Sequence, residues 1–94
     1  MNPNILIQEE TKEDTKLDRT WRVIVLNDPV NLMNYVVMVF RRVFGFDQAL
    51  ANRHMLEVHE KGRSVVWSGH RERAEVYAYE LQQWRLNTLL EQDD

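Results

Sequence analysis

The chain has 94 residues, no cysteine, 12 Lys and Arg against 15 Asp and Glu, and a formal net charge of −3. That length holds one domain with one core, and without thiols neither a disulfide framework nor a thiolate metal site can brace it. The acidic balance argues against nucleic-acid binding through a basic face, and Arg71 with Arg73 is interrupted by Glu72 and Glu75.

Residues 1–19 carry five acids (Glu9, Glu10, Glu13, Asp14, Asp18) and three bases, and beyond Ile5, Leu6 and Ile7 they stay polar until Leu17. Such a stretch cannot bury enough apolar surface to offset its ordering entropy, which predicts a flexible N-terminal tail ahead of a core domain over 20–94. No basic region precedes the short apolar patch, so the start does not read as a secretory signal. No apolar run reaches the ~18 residues of a membrane span. A soluble cytoplasmic protein without a membrane partner is expected.

Trp21 to Leu26 (WRVIVL) is rich in β-branched and aromatic residues and stops at Asn27-Asp28-Pro29, which predicts a strand and a turn. Asn31 is placed to cap a helix with apolar positions Leu32, Val36, Val39, Phe40 and Val43, and Gly45 to terminate it. Asp47 is placed to cap a second helix carrying Leu50, Met55, Leu56 and Val58, which stops at Gly62. Arg63 to Ser68 reads as a second strand ended by Gly69. A third helix over about Arg71–Trp84 follows, with Ala74, Tyr77, Ala78, Leu81 and Trp84 at helical spacing. Leu86 to Glu91 is either a closing strand or a helical extension. The order β-α-α-β-α-β predicts an α+β fold, a small three-stranded antiparallel sheet packed against three helices.

Catalytic patterns are thin. Neither Ser64 nor Ser68 lies in a G-x-S-x-G turn, and the three glycines stand apart, so there is no phosphate loop. His54 and His59 lie about 140° apart around a helix, unlike the paired histidines of a zinc protease. No metal or cofactor is expected, and no enzyme.

Two features stand out. Asn27-Asp28-Pro29 ends an apolar strand, either as an ordinary Asx turn or as a polar rim. In Met55-Leu56-Glu57-Val58-His59, Met55, Val58 and His59 share one helix face at i, i+3 and i+4, either as core with a helix-end histidine or as a binding wall. Met33 is open to the same two readings. Together, an amide, a carboxylate and an imidazole beside a Met/Val hollow suit a ligand with a cationic head and an apolar arm, the shape of a polypeptide's own N-terminus. Protonation would turn His59 from acceptor into cation, so such binding is expected to weaken toward about pH 5.5. A generic module docking a partner helix through exposed Tyr77, Tyr79 and Trp84 is the competing reading.

The runs VIVLNDPVNLMNYVVMVFRRVFG and ANRHMLEVHEKGRSVV resemble ClpS, the bacterial N-end-rule adaptor of the Clp proteases, and most of all its actinobacterial members. The resemblance spans roughly Trp21 to Glu91, and it implies that Asn27, Asp28 and His59 bind the α-amino group of N-degron substrates. It implies that Met33, Val36, Met55, Val58 and Leu86 wall the pocket for the first side chain, with Met33 a gate favouring Leu, Phe, Tyr and Trp. It further implies a monomer that delivers substrates to the N-domain of a Clp AAA+ unfoldase through its tail and through the third helix, where Glu72 is kept. Two departures are visible: Pro29 stands where many members have a second Asp, and Tyr77 where proteobacterial members have Lys. They point to a ClpC-type as readily as to a ClpA-type partner.

Overall fold

The computed structural model describes residues 19–93. The expected tail falls outside this range, Arg19 excepted. The elements run β1 (Trp21–Leu26), α1 (Met33–Phe44), α2 (Gln48–Lys61), β2 (Arg63–Gly69), α3 (Arg71–Gln83) and β3 (Thr88–Gln92). The closing segment is therefore a strand. Hydrogen-bonding capacity explains the choice: β1 pairs antiparallel with β2 on one side and with β3 on the other, so both edges of the central strand are satisfied.

Val23 and Val25 of β1 face the helices and pack with Val39, Phe40, Ala74 and Leu81 in the core. On the opposite face Ile24 is also fully buried, opposite Val65 and Leu89. There Glu91 pairs with both Arg22 and Arg63. A register shift between Val23 and Ile24 marks a bulge, where Val66 turns inward and is buried.

The caps differ from the sequence reading at one helix and agree at another. Asp47 caps α2, its carboxylate accepting from the Leu50 N–H at 2.8 Å. Asn31 does not cap α1. The cap position is Leu32, which offers no side-chain acceptor and lies 70% exposed, outside the helix. The Asn31 amide is committed elsewhere, donating to Asp28 and to the Arg85 carbonyl. Leu56 is likewise exposed rather than core, whereas Val37, absent from the apolar pattern above, is buried. The third helix ends at Gln83, one residue early, because Trp84 and the left-handed Arg85 (φ 67°) turn the chain toward β3.

Candidate functional site

Three chain crossings meet at one end of the sheet. Leu26, the last residue of β1, stands opposite Arg63, while its neighbour Val25 stands opposite Thr88. The segments entering β2 and β3 are thereby drawn to the place where β1 ends. The Leu26 N–H donates to the Asn87 carbonyl (2.8 Å) and the Asn27 N–H to the Gly62 carbonyl (3.0 Å). Gly62 takes the left-handed conformation (φ 86°) that ends α2, and its own N–H closes on the Val58 carbonyl. That single residue stops the helix just beyond His59 and hooks it to Asn27.

The crossing encloses a hollow. Its rim is polar, with Asn27 and Asp28 from the β1 turn and His59 from the end of α2. Its walls are apolar, with Met33 and Val36 from α1, Met55 and Val58 from α2, and Leu86 from the turn into β3. All eight residues singled out at this end by the sequence thus come together from four chain segments. Val36, Val58 and Leu86 are buried, while Met33 is 45% exposed at the mouth. The cavity is narrow as it stands, about 30 Å³, room for one water-sized body.

The turn itself is an Asx turn: Asp28 Oδ1 accepts the Val30 N–H at 2.9 Å, and Oδ2 accepts the Asn31 amide at 3.4 Å. An ionised carboxylate has about four lone-pair directions, so these bonds leave it acceptor capacity. His59 is exposed, and no hydrogen bond to its ring is formed among the described residues. Four residues of the hollow were not anticipated: Val25, Leu26, Asn31 and Asn87. Asn31 ties the Asp28 turn to the Arg85 carbonyl, 3.1 Å away, beside Leu86. Its place in a turn rather than a helix cap is the signal that pattern reading passes over.

Glu72 and Tyr77 lie apart from the hollow, on α3. Glu72 is exposed in the first turn. Tyr77 is half-buried, its ring 4.8 Å from Phe44 and 5.2 Å from Trp67. Trp84 is half-buried too, its carbonyl accepting from the Tyr35 hydroxyl at 2.7 Å. Of the three aromatics on which a partner-helix surface would rely, only Tyr79 is open, at 63% exposure.

A second polar cluster sits behind α2. Ser64 is buried; its hydroxyl donates to Glu57 and lies 2.7 Å from His54 Nδ1. The hydroxyl has one proton, and it goes to the carboxylate, so Nδ1–H of His54 must be the donor. Burial, and then the nearby Arg53 guanidinium, hold the His54 imidazole below its ordinary range, while Glu57 pulls the other way. This Ser is spent between two partners and closed to solvent, which is no arrangement for a nucleophile. Among the described residues no group of three or more His, Asp or Glu is placed to hold a metal ion. No helix among them is long and apolar enough to cross a membrane.

Fold and hollow together define a small α+β domain presenting acceptors around an apolar cup, with no hydroxyl, thiol or amine nucleophile lining it. Residues 16–88 match the family of the ATP-dependent Clp protease adaptor protein ClpS, and the chain belongs to that family. It is 41% identical to the ATP-dependent Clp protease adapter protein ClpS of Mycobacterium tuberculosis (strain ATCC 25618 / H37Rv) over 91 residues, 97% of this chain and 90% of the relative. It is 42% identical to that of Nocardia farcinica over 77 residues, 82% of this chain and 73% of the relative. The solved structure of Agrobacterium tumefaciens ClpS2 bound to L-phenylalaninamide superposes with a TM-score of 0.76 at 26% identity, covering 80% of this chain and 98% of that one.

Proposed function

We propose that this adaptor captures polypeptides by an unblocked α-amino group and a large apolar first side chain, and presents them to a Clp AAA+ unfoldase. The observation that carries the reading is the convergence of Asn27, Asp28 and His59 over the Met33, Val36, Met55, Val58 and Leu86 walls. Support also comes from the ligand of the Agrobacterium relative, L-phenylalaninamide, which joins a free α-amino group to a benzyl side chain.

An ammonium carries three N–H donors, and the rim offers three acceptors: the Asn27 side-chain carbonyl, the Asp28 carboxylate and a ring nitrogen of neutral His59. The terminal amine has an ordinary pKa of about 7.7–8.0 and is mostly charged at neutral pH. Charge-assisted hydrogen bonds contribute about 1.5–3 kcal/mol each, and burying a Leu or Phe side chain about 1.5–3 kcal/mol. These offset an association cost of at least about 4 kcal/mol. The balance reaches at most about −8 kcal/mol, roughly micromolar, which suits a carrier that must release its cargo. Neither the rim nor the cup suffices alone.

The cup is too narrow at rest for a Leu or Phe side chain, so a wall has to move. Met33 and Met55 are the two flexible walls, each a methionine with three rotatable bonds at the mouth. Rotation of Met33 toward solvent admits Leu, Phe, Tyr or Trp, and the rigid walls Val36, Val58 and Leu86 receive it.

For the unfoldase, of ClpC or ClpA type, α3 offers a solvent face on which Glu72, Val76 and Tyr79 recur at helical spacing, all exposed. Tyr77 contributes from below by holding that helix on Phe44 and Trp67. Residues 1–19 serve delivery in this reading.

The test is a fluorescence titration with a peptide beginning in free Phe and with its N-acetylated twin. The free peptide binds at around micromolar concentration, and the acetylated one at least about a hundredfold more weakly, the loss expected for one or two charge-assisted bonds. Equal affinities would remove the α-amino group from recognition.

A further inference from the structure

Beside the cup, and sharing Met33 and Met55 with it, lies a second and larger cavity of about 750 Å³ between α1 and α2. Its floor is apolar, with Val37, Met38 and Phe46, and its rim carries Arg41 and Arg42 from the last turns of α1. The other polar rim groups, Asn34, Gln48 and Asn52, are neutral; no carboxylate lines it. Arg41 donates to Gln48 at 3.0 Å, and among the described residues neither arginine meets an acid. Asp47, the acid nearest to them in sequence, is turned to the Leu50 N–H as the cap of α2.

We propose that this groove is a track for the substrate residues that follow the first one, and that it favours acidic side chains there. The inference rests on the cup receiving the N-terminal residue, and it adds a site of its own. Met33 and Met55 form the partition, so a chain leaving the cup passes over them into the groove. Arg41 lies eight residues beyond Met33, or about 12 Å along the helix axis. An extended peptide covers that distance in roughly four residues at ~3.3 Å each. The arginines therefore meet substrate residues three to five, and the apolar floor accepts the stems of their neighbours. The sign of the preference is informative, because the whole chain carries a net charge of −3 and by bulk attraction would favour basic peptides. Over a Debye length of about 8 Å in physiological salt, the local pair outweighs that distant charge.

The experiment uses the full chain and three peptides starting with free Phe-Ser, followed at residues three to five by Asp, Ser or Lys. The aspartate peptide binds about three- to tenfold more tightly than the lysine peptide, as one or two exposed ion pairs allow. The ratio shrinks with added salt and collapses or inverts in the Arg41→Glu/Arg42→Glu variant. The serine peptide reports the cup by itself in each protein. A wild-type ratio near one or favouring lysine, with the serine peptide still bound, overturns the track whatever other chain the groove holds. A ratio that survives charge reversal overturns the arginines' part and the track with it. Failure of all three peptides to bind sinks the cup, and this inference with it.

Discussion

Helix α2 carries two histidines with opposite fates. His54 is partly buried between Phe40 and Phe46, and its Nδ1–H is spent on Ser64, which is spent in turn on Glu57. His59, five residues on, stands exposed at the rim of the cup with no bond to its ring among the described residues. In the first cluster the Ser64 hydroxyl is used both as donor and as acceptor within the fold. The second keeps spare acceptor capacity beside apolar walls, Asp28 giving only part of its own to Val30 and Asn31. A polar group already satisfied within the fold contributes stability; one left open beside a hollow is available for recognition. Each region should therefore fail in its own way.

The largest expected effect is at Asp28. Substitution by alanine removes both its charge and the Asx-turn acceptor to Val30, so lost binding could follow from a loosened loop. Asp28→Asn keeps the turn's Oδ1 acceptor, gives up only the long 3.4 Å bond from the Asn31 amide to Oδ2, and removes the charge. Affinity for a free Phe-initiated peptide should fall roughly ten- to a hundredfold, the difference between a charged and a neutral hydrogen bond in a partly dry site. The thermal midpoint should stay within a degree or two. Unchanged affinity in this variant would take the carboxylate out of recognition.

The mirror experiment is Ser64→Ala. It strands a part-buried carboxylate and a part-buried imidazole N–H, each formerly paired through the hydroxyl. The loss falls toward the lower end of the range, about 1–3 kcal/mol, that unpaired buried polar groups cost. Chemical denaturation should register that loss, while peptide affinity remains near that of the parent. A variant that kept its stability but lost peptide binding would reverse the assignment of the two regions.

How far the sequence carries this comparison depends on the kind of signal. Strand β1, helix α2 with its Asp47 cap and Gly62 stop, and the closing of the order β-α-α-β-α-β rest on local chemistry, and the chain displays them openly. The cup was legible through motif and family resemblance, because Asn27-Asp28 and Met55-Val58-His59 sit in short contiguous runs. What stayed hidden depends on long-range partners. Asn31 looks like a helix cap until the Arg85 carbonyl, 54 residues away in the chain, claims its amide. Tyr77 looks exposed until Phe44 and Trp67 close on it. The groove beside the cup exists only where α1 and α2 lie side by side, and the Ser64 circuit only where β2 passes behind α2. No spacing rule announces either.

The smallest effect concerns pH and belongs to the His54 cluster. Burial and Arg53 lower the His54 value in the folded chain below that of the unfolded one, with Glu57 opposing. As pH falls through the ordinary imidazole range near 6.5, the unfolded chain binds its proton first. Stability contributed at this site is then complete above that range, falls as pH drops through it, and stops falling once the folded-state value is passed. His54→Asn retains a side-chain donor near the Nδ1 position for Ser64 and removes the titration. Between about pH 7.5 and pH 5.5 the parent should thus lose more stability than His54→Asn, a difference in which titrating groups remote from His54 cancel. Parallel stability curves for the two proteins would mean that the imidazole is not kept neutral by its surroundings, and that the circuit joining α2 to β2 tolerates a charge.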